Sequence, residues 1–516
     1  MKPKSSHCMN SRWILAIAAA FCVSAASAQT LPYDRVADRN VWLYGGNPAG
    51  LRASMDSTIS YAELHGGAEA GDFRHSYEAS SLWTAGAEAR SIKHLERFSM
   101  VGGFSFDQTV GQDMCGSMFI RPGYYPIDAL EFTPGQKTLQ TYAFDGGVSI
   151  DIAPQWRIGA GLDFASSNYS KRKDLRHTNY RLDLEVSPGV TFTTSDGNMA
   201  FGLNYIYAKD SEYTDPEQIG TAESTYYAFL DKGLMYGKYE AWSGSGVHLD
   251  ESGVQGLPLR EHFHGVGVQV GMGGTYFGEV EYRHGSGLAG EKQTIWYRFP
   301  TDRLTVRLAE NLRLLSGREM KLREYVTDTR LHNYETVLEK VTEGGVTTSR
   351  EYGSNLILGR KTLESGVDME IQGRKADWRV YFISRTVESQ ASQMYPYVTN
   401  QTTVEDCIGF NPTFRPSPSF ECGCDLSFAF GTLEEDSFLI SEESGVSTRP
   451  YRLEEYYDLE AEYLTSPRLG ASAFARYTLR RGIYIQARAS LTHAWQLDCI
   501  PGPSRYCGNL ALGWTF

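Results

Sequence analysis

Trp156-Arg157-Ile158-Gly159-Ala160-Gly161-Leu162-Asp163-Phe164 is the stretch that decides the fold. Trp156, Ile158, Ala160, Leu162 and Phe164 share one parity, and Arg157, Gly159, Gly161 and Asp163 share the other. Successive side chains of an extended chain point to opposite faces, so this is a strand with one apolar face and one polar face. The pattern recurs outward in both directions. Tyr180, Leu182, Leu184 and Val186 alternate with Arg181, Asp183 and Glu185, and Met199, Phe201, Leu203, Tyr205 and Tyr207 follow a turn at 195–198. Leu363, Val367, Met369 and Ile371 alternate with Glu364, Asp368 and Glu370, and Ile483, Ile485, Ala487, Ala489 and Leu491 repeat the rhythm near the end.

One such strand fits a soluble sandwich as well as a membrane barrel. Three features choose the barrel. Many alternating segments are longer than the usual five or six residues of a globular strand and match a tilted membrane span of about 9–11 residues with its flanks. Tight turns, such as Ala153-Pro154-Gln155 and Arg480-Arg481-Gly482, tend to alternate with long polar excursions at 111–138, 210–260, 309–360 and 389–452. The chain also stops on an alternating strand that carries Trp514 and Phe516. The expected fold is therefore all-β: a transmembrane, antiparallel, up-and-down β-barrel with long extracellular loops and an even strand number of about 14–18. Segments near 57–65, 81–95 and onward to 453–463, 468–479, 483–495 and 506–516 supply most of it. Strand direction requires one more strand within 309–360 and another within 389–452, with Leu426 to Leu433 expected for the second.

The first residues read as a processing signal: Lys2, Lys4 and Arg12, an apolar run from Trp13 to Val23, then Ala26-Ser27-Ala28. That run is too short for a transmembrane helix, which needs roughly 20 residues. Three units follow: a signal peptide over 1–28, a periplasmic segment or lumen hatch over 29–56, and the barrel over 57–516. The net charge of −13, from 49 Lys and Arg against 62 Asp and Glu, argues against nucleic acid as a partner. The 52 Gly and 32 Tyr suit tight turns and interfacial aromatic girdles.

Cysteines 115, 407, 422, 424, 499 and 507 remain after the signal. An even number in an exported chain reads as disulfides before metal, and Cys499 with Cys507 is the expected pair because they flank one loop. Cys422-Gly-Cys424 has no His nearby to complete a zinc site, so neither metal nor cofactor is expected. Tyr226, Tyr227, Phe229, Tyr236 and Trp242 crowd one excursion and offer either a ligand or partner surface or a self-packed loop. Glu364, Asp368 and Glu370 oppose Arg379 and Arg385 on the next strand. They form either a transverse field that selects permeants or structural cross-strand pairs.

Several of these residues carry resemblances. The terminal strand ending in Trp514 and Phe516 resembles the signal by which the barrel assembly machinery receives outer-membrane proteins. Asn47-Pro48-Ala49 resembles the N-terminal motif of the long-chain fatty-acid transporter superfamily, where it lies in a hatch inside the lumen, and also looks like the shuttle barrel of the type IX secretion system. The overall layout looks closest to large outer-membrane barrel families of Gram-negative bacteria without assigned function. His284-Gly285-Ser286 resembles the His-x-Ser of outer-membrane lipid A deacylases, but those are much smaller barrels, and no enzyme activity is expected. Together these readings imply a protein of the cell outer membrane, surrounded by lipid, that admits or binds a small, even hydrophobic, molecule. The competing expectation is a scaffold whose outer loops engage a partner.

Overall fold

Val266, Val268, Val270 and Met272 lie bare on the outside of the molecule, while Gln269, between two of them, is buried inside it. Val268 is 57% exposed and Gln269 2%. The same inversion runs round the protein: Leu64, Phe104, Phe144, Ile158, Leu203, Leu363 and Leu512 face out, and Glu69, Asp210, Glu261, Glu279 and Arg505 face in. Water outside would make this arrangement untenable, whereas hydrocarbon outside makes it the expected one.

The computed structural model describes residues 32–52, 58–219, 224–243, 257–291, 294–315, 317–394, 397–435 and 453–516. The signal-peptide reading of 1–28 falls outside them. Seven strands open the barrel: β1 Ile59–Gly71, β2 Ser81–His94, β3 Phe98–Ser117, β4 Asp128–Ala153, β5 Trp156–Lys171, β6 Arg176–Thr193 and β7 Met199–Glu217. A hairpin follows, β8 Thr225–Asp231 and β9 Gly237–Ser243. The wall resumes with β10 Leu257–Met272, β11 Tyr276–Glu291, β12 Thr294–Arg313, β13 Glu319–Glu343, β14 Val346–Gln372 and β15 Ala376–Met394. It ends with β16 Tyr397–Ser417, β17 Phe420–Glu435, β18 Arg468–Thr478, β19 Ile483–Ala494 and β20 Ser504–Thr515.

Each wall strand pairs antiparallel with its neighbours in chain order, β7 pairs β10, and β20 returns to pair β1. The β8–β9 hairpin stands outside this cycle, so the closed wall has eighteen strands. Among the described residues one end carries tight connections, such as Pro154-Gln155 and Gly273–Thr275. The other carries the long loops, the hairpin and helix α1 Leu453–Thr465. The β13–β14 pair, 25 and 27 residues long, overshoots its neighbours. Its tip is Gly344-Gly345, both at positive φ, where glycine alone escapes a Cβ clash.

Two expectations about the strands failed and cancelled in the count. The segment 453–463 is helix α1. Tyr457, Leu459, Ala461 and Tyr463 do alternate with Asp458, Glu460 and Glu462, but the run is Glu- and Leu-rich and has no β-branched residue before Thr465, so helix propensity wins. Strand β16 went unseen because Pro412 and Pro416 broke its outward row of Val404, Ile408, Phe410 and Phe414. The strands sought within 309–360 and 389–452 are β13 and β17, and β14 begins well before 361.

The Cys499–Cys507 pairing is not made. All six described cysteines are free. Cys507 shares the parity of buried Arg505 and Ala511 and points into the lumen. Cys499 is exposed in the loop above, where its backbone N–H donates to Glu462. Cys422 and Cys424 take the outward parity of Leu426 and Phe428.

Helix α1 docks over the long-loop end. Glu460 takes hydrogen bonds from the Ser76 N–H and hydroxyl, both 2.8 Å, and pairs with His75 Nδ1 at 2.6 Å, while Tyr463 stacks on Phe73. Burial alone would depress His75, but the charge of Glu460 and its hydrogen bond prevail and hold the imidazole above the ordinary 6.5. Burial would likewise raise Glu460, yet His75 and the Ser76 donors keep it below the ordinary 4.5. The contact therefore stabilises docking fully between about pH 4.5 and 6.5. That stability is lost as pH rises through the raised pKa of His75, and lost again as pH falls through the depressed pKa of Glu460. Hydrogen exchange over 72–80 and 453–465, corrected for intrinsic rates, is expected to be slower near pH 5.5 than near pH 9. Equal protection at both would remove the ion pair from the account.

Candidate functional site

The lumen is the candidate site, and the N-terminal segment occupies its short-turn end. Residues 32–52 form three short turns of helix, Pro32–Ala37, Val41–Tyr44 and Pro48–Arg52, that wind around the inner wall. Asn40 folds the segment on itself, donating to the carbonyls of Gly50 and Leu51 and accepting from Trp42 N–H. Trp42 packs edge-on against Phe277 at 5.2 Å. Asn47, Pro48 and Ala49 lie inside the barrel. Asn47 Nδ2 donates to Gln269 Oε1 at 2.9 Å and to the Val190 carbonyl at 3.2 Å, and its Oδ1 accepts from Ala49 N–H at 3.0 Å. The Ala49 carbonyl takes the Ser149 hydroxyl at 2.9 Å.

The wall beneath this segment has been cleared of side chains. A Cβ at Gly159 would stand 2.4 Å from Ala49 N, and one at Gly189 would stand 2.2 Å from Asn47 Oδ1. Gly202 and Gly271 leave room for the Trp42 indole in the same way. Ion pairs fasten the ends. Arg35 and Arg415 share Asp377, Arg52 joins Asp151, and Lys321 reaches Asp38 at 3.3 Å. The sequence held a signal for this seat that the alternation obscured: glycine, not merely polar residues, fills lumen-facing positions 159, 161, 189, 202 and 271 near the tight turns.

At the other end three pieces fold inward. The loop 118–127 dips into the mouth, where Tyr125 OH donates to Asp210 at 2.5 Å, Ile120 N–H to Glu212 at 2.9 Å, and Arg360 to the Gly123 and Tyr124 carbonyls. The β8–β9 hairpin pairs with the first residues of β4, Asp128 to Glu131. Helix α1 covers a third sector, with Leu453 against Phe229 and Tyr239. The aromatics singled out in the sequence are spent here. Phe229, Tyr236 and Trp242 are buried, and Tyr226 and Tyr227 pack against the same cores, so as the loops stand these rings hold the cap together.

Between the N-terminal segment and the in-folded loops the wall is ionic. Glu364, Asp368, Glu370, Arg379 and Arg385 all take the lumen-facing parity. Arg379 Nε donates to Asp368 at 2.6 Å, Tyr325 OH to Glu364 at 2.7 Å, and Gln372 to Glu370 at 2.9 Å. Arg385, in register with Glu364, is exposed to the lumen. The sequence reading did not single out the opposite wall. Asp145 on β4 stands directly beside Asp163 on β5, which stands beside Glu185 on β6. Asp183 lies two residues from Glu185 on the same face, and β15, with Arg379 and Arg385, lies nearly half the barrel away. Arg90 approaches Asp145 at 3.6 Å and Arg283 reaches Glu185 at 2.5 Å. His284 and Ser286 point to the outside of the barrel, where His284 contacts Asp302 at 2.8 Å. Trp514 and Phe516 lie exposed on the outer face at the tight-turn end.

Replacing Asn47 with Ala strands the Gln269 acceptor and the Ala49 N–H in a buried seat, a loss of about 1–3 kcal/mol. Hydrogen exchange over 40–52 is expected to quicken by roughly five- to a hundred-fold with the wall strands unchanged. Gly189→Leu should act in the same direction by steric expulsion. Unaltered protection in both variants would mean that the seat is not where the segment is held.

No curated protein matches the chain. Among solved structures it is similar to the ferric preacinetobactin receptor BauA of Acinetobacter baumannii, at 8% identity and a TM-score of 0.44, over 89% of this chain and 80% of that one. It is also similar to the outer-membrane transporter YddB of Escherichia coli, at 9% identity and 0.42, over 88% and 80%. A third is OccAB2 of Acinetobacter baumannii, at 9% and 0.35, over 89% and 98%. Likeness at that level carries no inference about what this chain binds. The sequence profile of a family of unknown function, DUF6850, matches residues 48–516. Covering so much of the chain, that match makes the protein a member of the DUF6850 family.

Proposed function

We propose that the barrel resides in the outer membrane of a Gram-negative envelope and admits a small polar molecule, with residues 32–52 as the hatch that governs passage. The observation that carries this reading is the lumen-facing row Asp145, Asp163 and Glu185. Like charges directly opposite on neighbouring strands are destabilising, so a lumen serving only as a packed core has no use for them. Asp163 is exposed on the inside, as is Arg385 on the far wall, and this exposure supports a water-filled space at that level. Carboxylates facing guanidiniums across water orient a polar or charged solute, as charged rings do in pores. A hydrophobic solute, the expectation drawn from the fatty-acid transporter resemblance, finds little apolar lining at that level.

The scaffold reading has one observation in its favour: the in-folded loop 118–127, the hairpin and helix α1 spend many aromatics on closing the outer mouth. Planar-bilayer conductance separates the two. The intact protein is expected to conduct little, deletion of 32–52 to open a steady channel, and Asp145→Asn with Asp163→Asn in that background to reduce its preference for cations. A barrel still silent after the deletion would leave the scaffold standing.

A further inference from the structure

On β7 and β10 the alternation sorts charge by sign. In Lys209-Asp210-Ser211-Glu212 and Arg260-Glu261-His262 every acid faces the lumen and every base faces outward. Asp210, Glu212 and Glu261 are buried inside, among loop residues 120–125. Lys209 stands directly beside His262, and Ser211 beside Arg260, so the outer face carries a compact block of bases on a protein whose net charge is −13.

This block interrupts the apolar band. On β6, Leu184 and Leu182 face outward nine and eleven residues from the strand's end at Thr193. At about the same height β10 presents His264 and His262 instead. The polar notch is braced by its neighbours. The Tyr205 hydroxyl meets His264 Nδ1 at 2.6 Å, the Tyr207 hydroxyl meets His262 Nδ1 at 3.0 Å, and Tyr282 OH donates to Asp302 at 2.6 Å. Directly below it lies an open apolar groove of about 340 Å³ on the outer surface, lined by Pro188, Val190, Leu203, Tyr205 and Val266.

A block of bases above an apolar groove has the chemistry of an anionic headgroup above an acyl chain. We propose that Lys209, Arg260 and His262 bind the phosphate of a phosphorylated lipid in the leaflet at the long-loop end, and that one of its acyl chains lies in the groove. A second copy of the chain fits less well, because a twofold contact on this face would set Lys209 and Arg260 against their own counterparts. The inference rests on the membrane reading but not on passage through the lumen, so its test measures no flux.

Native mass spectrometry of the full chain in non-ionic detergent, with a phosphorylated diglucosamine lipid or phosphatidylcholine as probe, tests it. One phosphorylated lipid per barrel is expected, with phosphatidylcholine held far more weakly. Lys209→Gln with Arg260→Gln should lower retention about thirty-fold, at roughly tenfold per 1.4 kcal/mol and about 1 kcal/mol per cation near a membrane surface. Val266→Trp, which fills the groove and leaves the bases in place, should also weaken retention. Gel migration that still shifts on boiling confirms that each variant keeps its barrel. The proposal falls if both variants retain lipid like the parent, if phosphatidylcholine competes equally, if excess inorganic phosphate displaces the lipid, or if a dimer mass appears that Lys209→Gln with Arg260→Gln abolishes.

Discussion

A strand in hydrocarbon has nothing beside its own sheet to satisfy its amides, and the architecture follows from that constraint. The hydrogen bonds of β1 are taken up by β2 on one side and β20 on the other, so the sheet has no open edge. Closure also explains the even count, since an antiparallel cycle returns to its start only after an even number of strands. With the outside given over mainly to Val, Leu, Phe and Tyr, most of the charged residues of the wall turn to the lumen, and those that face outward, such as Lys209 and Arg260, stand toward the long-loop end. The polarity of the lumen is thus a consequence of the wall before it is a device for any solute.

Within that interior the chain spends its specificity at two levels. Near the tight turns, glycines at 159, 189, 202 and 271 and the hydrogen bonds of Asn47 shape a seat for a segment of about twenty residues. At mid-height the side chains return, now as carboxylates on β4 to β6 and arginines on β15. The first level is a fitted contact, and the second is a charged polar surface. Packing dominates the first level, where ion pairs only fasten the ends of the segment, and charge dominates the second.

The wall was legible in the sequence because a period of two survives any amount of side-chain substitution, and segments such as 156–164 and 483–491 state it without ambiguity. It failed where local chemistry overrode the rhythm. Pro412 hid β16, and the Glu- and Leu-rich run from Leu453 imitated a strand over seven residues while preferring a helix. The Asn47-Pro48-Ala49 motif stood out in the sequence, but its partners Gln269, Val190 and Ser149 lie 100 to 222 residues away and meet it only through closure. The acidic row was invisible for the same reason. Asp145, Asp163 and Glu185 are unremarkable on their own strands and become a row only once register is known.

The overshoot of β13 and β14 has its own consequence. Twenty-five residues at about 3.3 Å each span roughly 80 Å along the strand, and a tilt near 40° leaves about 60 Å of height against a hydrocarbon layer of about 30 Å. The upper part of this ribbon, with Tyr352 bare near its top, therefore rises clear of its neighbours as a two-stranded mast. An antibody or a phage fibre arriving from the long-loop side would touch the Gly344-Gly345 summit before it reached the rim of the mouth.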